Sequence, residues 1–340
     1  MNHKVGVSIL CLAFNHEKYI KDAIEGFLMQ KTSFPIEIII NEDCSTDATA
    51  DIIREYELKY PGLIKPIYHK KNVYSQGINI NAEYMLPLAT GKYVALCDGD
   101  DYWTDPHKLQ KQYDALEKNP ECLMCLHRVR DLNVRDANES PARYLPRSTL
   151  PTGIVDSHRF FELIGDGDFF NEVCYFFRAD EYRRYQENYP EFAHLFMKNK
   201  TDDAPMIDYF GCLSNVYYIN DCMAVYRRFT SGSWSEGMRK RTSEEKSNYF
   251  KNAVEAQKAF DVFSEGRFAK ELFPSRQYFK FNYERCLHHY KEMLDSQYDC
   301  VWKKQSKTYR IRVSLLARNA AFWGKVFDLY DRCRTAIRPE

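Results

Sequence analysis

The stretch "YVALCDGDDYW", residues 93–103, turns from an apolar run into a cluster of acids. Asp98, Asp100 and Asp101 crowd into one short segment, where their carboxylates repel one another. A bound divalent cation would offset that repulsion, and so would exposure to water in a turn at Gly99. The surrounding sequence has to decide between these two explanations.

Strand and helix patterns alternate on both sides of this stretch. Short, partly β-branched apolar runs predict strands, and apolar residues at helical spacing predict helices. The predicted strands are 5–13, 36–43, 64–70 and 92–98, and the predicted helices are 16–30, 45–62, 79–91 and 105–120. Such alternation implies right-handed crossovers and a mainly parallel sheet, so the chain is predicted to be an α/β protein.

Polar clusters follow three of these strands. Asn15 comes after the first strand, Glu42 and Asp43 after the second, and the acids from Asp98 onward after the fourth. Ligands of parallel sheets bind beyond the carboxyl ends of the strands. Three clusters at successive strand ends therefore predict one shared pocket. A D-x-D at such a place suits Mg²⁺ or Mn²⁺, which take oxygen ligands and bridge to substrate phosphates.

The amino-acid composition bears on the class of ligand and on the cellular location of the protein. The 340 residues contain 48 Lys+Arg and 48 Asp+Glu, so nothing in the net charge favours a nucleic acid. The 11 cysteines have no repeating spacing, and neither a signal peptide nor a membrane span is recognised, which favours a reducing, cytoplasmic location. Cys122 and Cys125 lack a second pair at metal-ligand spacing and are expected to be buried thiols.

The second half of the chain is less regular. Segments 122–132, 173–179 and 216–229 read as strands, with the polar loops "GDGDFFN" and "NKTDDAPM" between them. From about residue 243 the pattern is helical. We expect a catalytic domain over 1–240, with a nucleotide-binding half 1–130 and an acceptor half 131–240, followed by a helical extension over 241–340.

Three segments in this order resemble the amino-terminal half of family 2 glycosyltransferases, which are inverting enzymes of the GT-A fold. They are "VSILCLAFNHEKYI", "IIINEDCSTDATADII" and "ATGKYVALCDGDDYWTDPHKLQKQ", and a weaker match continues through "TDDAPM" and "MAVYRRFTSGSWS". The resemblance implies a mainly parallel Rossmann-like sheet with flanking helices. It also implies transfer from a nucleotide sugar, with Mn²⁺ or Mg²⁺ as the cofactor.

The resemblance also implies roles by position in the nucleotide-binding half. Phe14 and Asn15 match the segment that borders the nucleotide, and Asp43 matches the acid that binds the uracil ring, with Glu42 beside it. The two carboxylates facing the ribose and the diphosphate-bound metal would be Asp98 and Asp100.

In the second half the resemblance assigns the catalytic base to Asp203. The adjacent Asp202 is an alternative base, and both acids also fit the start of a helix. Phe229 stands where the family often has a histidine near the metal. The diphosphate would then be met by Arg227 or Arg228, and Trp234 belongs to a loop that closes over the donor.

Acceptor contacts are less well defined. Asp168 and Asn171 are candidate sugar-binding groups, although a plain turn explains them equally well. Trp103 is an aromatic candidate on the acceptor side. The tail, 302–340, has ten Lys/Arg against three Asp/Glu. Its helical pattern fits either a peripheral membrane contact or a basic helix packed on the domain.

These observations predict a metal-dependent hexosyltransferase that moves a sugar, expected from a UDP donor, to a glycan or lipid-linked acceptor during surface polysaccharide synthesis. A sugar nucleotidyltransferase is a weaker alternative, because "AFNHEKYI" lacks a glycine-rich basic loop. A non-catalytic nucleotide- or sugar-binding module of the same fold is a second alternative, which Phe229 mildly favours.

Overall fold

The computed structural model describes residues 5–136, 142–188, 190–198 and 203–337. It divides into two compact units, residues 1–240 and 241–340.

The first unit is built on one sheet whose strands come from its whole length. Within the described residues the strands are β1 Val7–Ala13, β2 Ile36–Glu42, β3 Ile64–Tyr68, β4 Tyr93–Leu96, β5 Tyr102–Trp103, β6 Met124–Asn133, β7 Arg143–Leu145, β8 Gly153–Val155, β9 Phe176–Arg178 and β10 Val216–Arg228. Their order is β3-β2-β1-β4-β9-β6-β10-β5, with β7 beside β6 and β8 beside β10.

The sheet changes character along this order. Strands β3, β2, β1 and β4 are parallel neighbours, as the alternating sequence pattern predicts. Beyond β4 the sheet is mixed, because β9 runs antiparallel to both β4 and β6 while β10 runs parallel to β6. The predicted α/β class is confirmed, but the description "mainly parallel" fits only the first half of the sheet.

Helices flank this sheet. In the first unit they are α1 Ile20–Leu28, α2 Thr49–Lys59, α3 Lys108–Lys118, α4 Ser157–Gly165, α5 Ala179–Glu187, α6 Glu191–Met197, α7 Asp203–Leu213 and α8 Trp234–Lys240. The helix predicted over 79–91 is reduced to a π-helical turn, Asn81–Met85. Pro87 follows it and has no N–H to donate, which prevents a longer helix.

The apolar face of α1 shows how the core is formed. Ile20, Ala23, Ile24 and Phe27 are fully buried at helical spacing. The ring of Phe27 meets that of Trp103 edge to face, with 4.8 Å between the ring centroids. This contact seats α1 directly beside the strand that follows the acidic turn.

The second unit is helical. Its α-helices among the described residues are α9 Ser243–Phe263, α10 Phe273–Cys286, α11 Asp299–Trp302, α12 Lys307–Arg318 and α13 Ala320–Ile337. Helix α9 begins with a capping box in which Thr242 and Glu245 bond each other's backbone N–H. Phe281, Met293 and Val313 belong to the buried core of this unit.

Two further predictions concern the cysteines and possible membrane spans. The cysteines whose side chains the structure describes are free thiols. Cys122 and Cys125 are fully buried, which confirms the burial predicted for them. Among the helices of the described residues, none combines the length and apolarity needed to cross a bilayer.

Candidate active site

The acidic segment after β4 forms a tight turn against β1. The N–H of Gly99 donates to the carbonyl of Leu12 at 2.8 Å, and the N–H of Asp101 donates to the carbonyl of Asp98 at 3.1 Å. A Cβ at position 99 would lie 2.9 Å from Nδ1 of His16. Glycine is therefore required here because a side chain would collide with the loop after β1.

The turn places its three carboxylates at different depths. Asp98 is half-buried, whereas Asp100 and Asp101 are buried. Burial, reinforced by the neighbouring Asp100, raises the pKa of Asp101 well above its ordinary value. Among the described residues no lysine or arginine side chain forms an ion pair with Asp100 or Asp101. Water exposure therefore does not explain this cluster, and a cation would stabilise it.

The end of β10 holds the turn in place. The N–H of Arg227 donates to Oδ1 of Asp101 at 2.7 Å, and its Nη1 donates to the carbonyl of Asp100 at 3.0 Å. Its Nη2 bonds Asp22 on α1 at 2.5 Å, and its guanidinium stacks over the ring of Tyr102. Arg227 thus clamps the turn to α1, and because its guanidinium is bonded within the protein, the diphosphate contact predicted for it has no support in these contacts and stays a prediction.

The contact with the donor diphosphate that is predicted for Arg228 remains a prediction. Its Nε donates to Asp131 at 2.5 Å, and about a quarter of the side chain, 24%, remains exposed. The guanidinium is therefore anchored by one nitrogen at the rim of the first unit. This geometry leaves a phosphate contact chemically feasible for Arg228.

Thr230 is a site residue that the sequence did not reveal. Its side chain is fully buried, and Oγ1 donates to Oδ2 of Asp100 at 2.5 Å. It follows Phe229, whose backbone has a φ of 66° and whose N–H donates to Oγ of Ser235 at 2.7 Å. The turned backbone at Phe229 directs the next residue back toward the acidic turn.

The segment after Thr230 forms the start of α8. Oγ of Ser233 donates to the carbonyl of Thr230 at 2.9 Å and lies 3.1 Å from Oγ of Ser235. Trp234 is 43% exposed, so it is not a core residue. It is the first residue of α8, so the loop predicted at this position is a helix start instead, and its contact with the donor remains a prediction.

The loops after β1 and β2 brace each other. Asn15 has a φ of 56°, a conformation that asparagine tolerates, and Oδ1 accepts from the N–H of Thr46 at 2.8 Å. The N–H of Asn15 donates to Oγ of Ser45 at 2.9 Å. Phe14 is half-buried beside it. The predicted nucleotide-bordering segment is thus fixed to the strand end that carries Glu42.

Asp43 is buried and organises a neighbouring loop. Its two carboxylate oxygens accept the N–H groups of Val73 and Tyr74 at 2.7 and 3.1 Å. Oε1 of Glu42 accepts the N–H of Ser45 at 2.6 Å. A carboxylate offers about four acceptor positions, so Asp43 can still accept one more donor. Its proposed contact to a uracil ring remains a prediction.

Three acceptor candidates have other tasks in the fold. Trp103 is 2% exposed, donates to the carbonyl of Val173 at 3.3 Å and lies 4.0 Å from Nζ of Lys108, so it cannot present its ring to a sugar. The acceptor role predicted for Trp103 is therefore wrong. Oδ1 of Asn171 caps a short helix at the N–H of Val173, at 3.0 Å.

Asp168 ties two loops together. Its Oδ1 accepts the N–H groups of Arg147 and Ser148 at 2.8 and 3.3 Å. This pattern matches the turn that was the alternative explanation for Asp168 and Asn171. Their sugar-binding role has no support in these contacts and stays a prediction.

The candidate bases lie at the edge of the described chain. Asp203 is the first residue of α7, and its side chain is not among those described. Asp202 lies outside the described residues. Their roles therefore rest on the motif position.

The acidic turn fits a hard divalent cation. Thr230 bonds only Oδ2 of Asp100, which leaves Oδ1 for another partner. Within the described residues no three His, Cys, Asp or Glu side chains gather into an ion site. A few carboxylates completed by substrate phosphates are the arrangement that Mg²⁺ usually adopts. Asp98 and Asp100 are the residues that would hold such an ion.

The parallel half-sheet, the acidic turn and the braced strand-end loops are arranged as in the GT-A fold. The solved structure of S. aureus TarS 1-349 in complex with UDP-GlcNAc is similar to it, with a TM-score of 0.51 and 15% identity, covering 92% of this chain and 87% of that one. The family description "Glycosyl transferase family 2" matches residues 8–188, so the chain belongs to that family.

Two curated relatives extend this finding. Rv1520 of Mycobacterium tuberculosis is 36% identical over 234 residues, which cover 67% of this chain and 60% of the relative. WfaP of Escherichia coli, named as a UDP-Glc:alpha-D-GlcNAc-diphosphoundecaprenol beta-1,3-glucosyltransferase, is 37% identical over 111 residues, 33% of this chain and 41% of that protein. The chain thus spans 60% or less of the length of these relatives.

Proposed function

We propose that this protein transfers a sugar from a UDP-linked donor, with inversion, to a hydroxyl of a glycan or lipid-linked acceptor in surface polysaccharide synthesis. The observation that carries the proposal is the acidic turn, in which Asp100 and Asp101 are buried and crowded and, among the described residues, no lysine or arginine side chain forms an ion pair with either carboxylate. WfaP, a relative by sequence, is named for UDP-Glc and a diphosphoundecaprenol-linked acceptor. These two observations favour a donor diphosphate at this turn.

In this proposal Asp98 and Asp100 hold a Mn²⁺ or Mg²⁺ ion together with the donor. When bound, such an ion stabilises the negative charge that develops on a departing diphosphate. The chain supplies the rigidity: Thr230 fixes Oδ2 of Asp100, and Arg227 fixes the backbone of the turn. Because these contacts hold the Asp100 carboxylate in one orientation, this side chain needs little further ordering when the donor binds.

The remaining steps are assigned to the other acids. Asp43, held by two backbone N–H groups, accepts the uracil imide N–H and selects the base. Asp203 takes the proton of the acceptor hydroxyl as that oxygen attacks the anomeric carbon, and general-base help of this kind contributes about 10²–10⁴-fold. We place the reaction on the cytoplasmic side, where the free thiols of the chain stay reduced.

The proposal is tested by titrating UDP into the protein with and without Mn²⁺ in a calorimeter. We expect binding that depends on the metal and that weakens by about 1.5–3 kcal/mol in Asp43→Ala, the value for a hydrogen bond to a charged group. A panel of nucleotide sugars is then screened for hydrolysis. Metal-dependent UDP binding without turnover of any donor would identify a binding module instead of an enzyme.

A further inference from the structure

Helix α12 presents an open groove on the second unit. The side chains on one side of this helix share a spacing of three and four residues, which places them on one face. Together with Trp302 they line a groove of about 430 Å³, and they are Lys307, Arg310, Ile311, Ser314, Leu315 and Arg318.

The opposite face of α12 accounts for its packing. Val313 and Leu316 are buried, and Tyr309 packs against the core of the second unit. The guanidinium of Arg312 lies 4.7 Å from the centroid of the Phe327 ring on α13. Both the core and α13 thus meet the helix away from the groove. The groove face is not needed to hold α12 in place.

The charge of the groove has one sign. It is lined by Lys307, Arg310 and Arg318, and none of the side chains that the structure describes around it is acidic. Within the described residues none of the three forms an ion pair, whereas the nearby Lys303 is paired with Asp299 at 3.2 Å. Lys307 and Arg318 are exposed, so an anion outside the protein can reach their charged groups.

The groove also contains apolar side chains. These favour an anion that carries an apolar part. Ile311 is 52% exposed, and Trp302 and Leu315 are half-buried beside the cations. A small soluble anion would leave these side chains in water. A bilayer of anionic phospholipid offers phosphates to the cations and an apolar layer to the exposed isoleucine.

We propose that the groove face of α12 binds the surface of an anionic phospholipid bilayer. The basic side chains meet the headgroup phosphates, and the exposed Ile311 enters the boundary between headgroups and acyl chains. Trp302, whose ring packs near Phe281 in the core of the unit, lines the groove from the protein side. The inference rests on the second unit alone. It stands whether or not the proposed sugar transfer in the first unit is correct.

The test is flotation of the full-length protein with vesicles of phosphatidylcholine, with and without phosphatidylglycerol. We expect binding only to the anionic vesicles, and loss of that binding at high salt because screening weakens surface charge pairs. The triple variant Lys307→Gln, Arg310→Gln, Arg318→Gln should bind roughly a hundredfold more weakly, since each basic residue near an anionic surface contributes about fivefold.

A matched control separates the groove from general charge. Lys251, Lys270 and Lys291 are exposed on the same unit, and replacing all three by Gln removes the same charge. This control should keep most of the binding, while Ile311→Ser should weaken it without changing the net charge. Equal losses in both triple variants, or equal binding to neutral and anionic vesicles, would overturn the proposal. UDP binding and circular dichroism, measured in parallel, should be unchanged in every variant.

Discussion

Buried acids lie at both ends of the parallel strands. At the amino end, Glu37 on β2 is 2% exposed and accepts hydrogen bonds from Ser8, from Lys65 at 2.5 Å, and from the backbone and side chain of Thr90. At the carboxyl end, Asp100 and Asp101 are buried beside each other without an ion pair among the described residues.

The pKa values of these acids are shifted in opposite directions at the two ends. At Glu37 burial alone would raise the pKa, but the hydrogen bonds from Lys65, Ser8 and Thr90 outweigh it and hold the pKa below its ordinary value. At Asp101 burial and the charge of Asp100 prevail and raise the pKa. The charge of the amino-end acid is therefore balanced within the protein, whereas the carboxyl-end acids have hydrogen bonds from Thr230 and Arg227 but no ion pair among the described residues, and this is where we propose that a cation binds.

The largest expected effect comes from removing a charge at the carboxyl end. Asp100→Asn keeps the shape of the side chain but removes the charge that would hold the metal. We expect transfer to fall by about 10³-fold or more, since the charge stabilisation supplied by a metal amounts to several kcal/mol. The measurement is the initial rate of sugar transfer at saturating Mn²⁺, with the melting temperature as the control for folding. A folded variant with wild-type activity would remove the metal-site proposal.

A comparable loss is expected from the acid proposed to serve the acceptor. Asp203→Asn should lower transfer by about two to four orders of magnitude, the range for general-base help. UDP affinity in Mn²⁺ should change little, because the proposed nucleotide contacts come from the strand ends. Asp202→Asn is the matched control and should retain much of its activity. The reverse result would move the base by one residue, and wild-type rates in both would place it elsewhere.

The sequence revealed those parts of this arrangement that depend on local pattern. Apolar runs and helical spacing located β1, β2 and β4, and the acids at their ends followed from where each run stops. Trp103 was misjudged because its burial is decided by Lys108 and the carbonyl of Val173, which no nearby pattern indicates.

Thr230 was missed for a related reason. It reaches Asp100 only because β10 returns beside the acidic turn and the backbone reverses at Phe229. Thr230 comes one position after Phe229, where the family often has a histidine. Nothing in the local sequence marks its hydroxyl as a partner of Asp100 until that topology is known. The same holds for Arg227, whose charge suggested a phosphate contact while its neighbours use it as a clamp.

A smaller loss of activity is expected from Thr230. Thr230→Val removes the hydroxyl that donates to Asp100 and leaves the shape almost unchanged. We expect transfer to fall by about ten- to a hundredfold, because hydrogen bonds to charged groups contribute about 1.5–3 kcal/mol. Thr230→Ser restores the donor and should recover most of the rate. If valine and serine at this position gave the same rate, the hydroxyl would have no part in positioning Asp100.

The smallest expected effect on transfer is at Glu37, where the effect on stability is instead substantial. Glu37→Gln should lower the free energy of unfolding near neutral pH by about 1–3 kcal/mol, since buried donors lose a charged acceptor. Because the pKa of Glu37 is lowered in the folded state, its stabilising contribution is fully present above the unfolded value of about 4.3 and is lost as the pH falls through the folded value. Denaturant titrations at several pH values should therefore show the difference between wild type and Glu37→Gln shrinking in acid. Glu55→Gln, an exposed site on α2, is the control and should show little difference at any pH. A loss of transfer in Glu37→Gln as large as that in Asp100→Asn, in a folded protein, would contradict the division of the sheet into a stabilising end and a ligand-binding end.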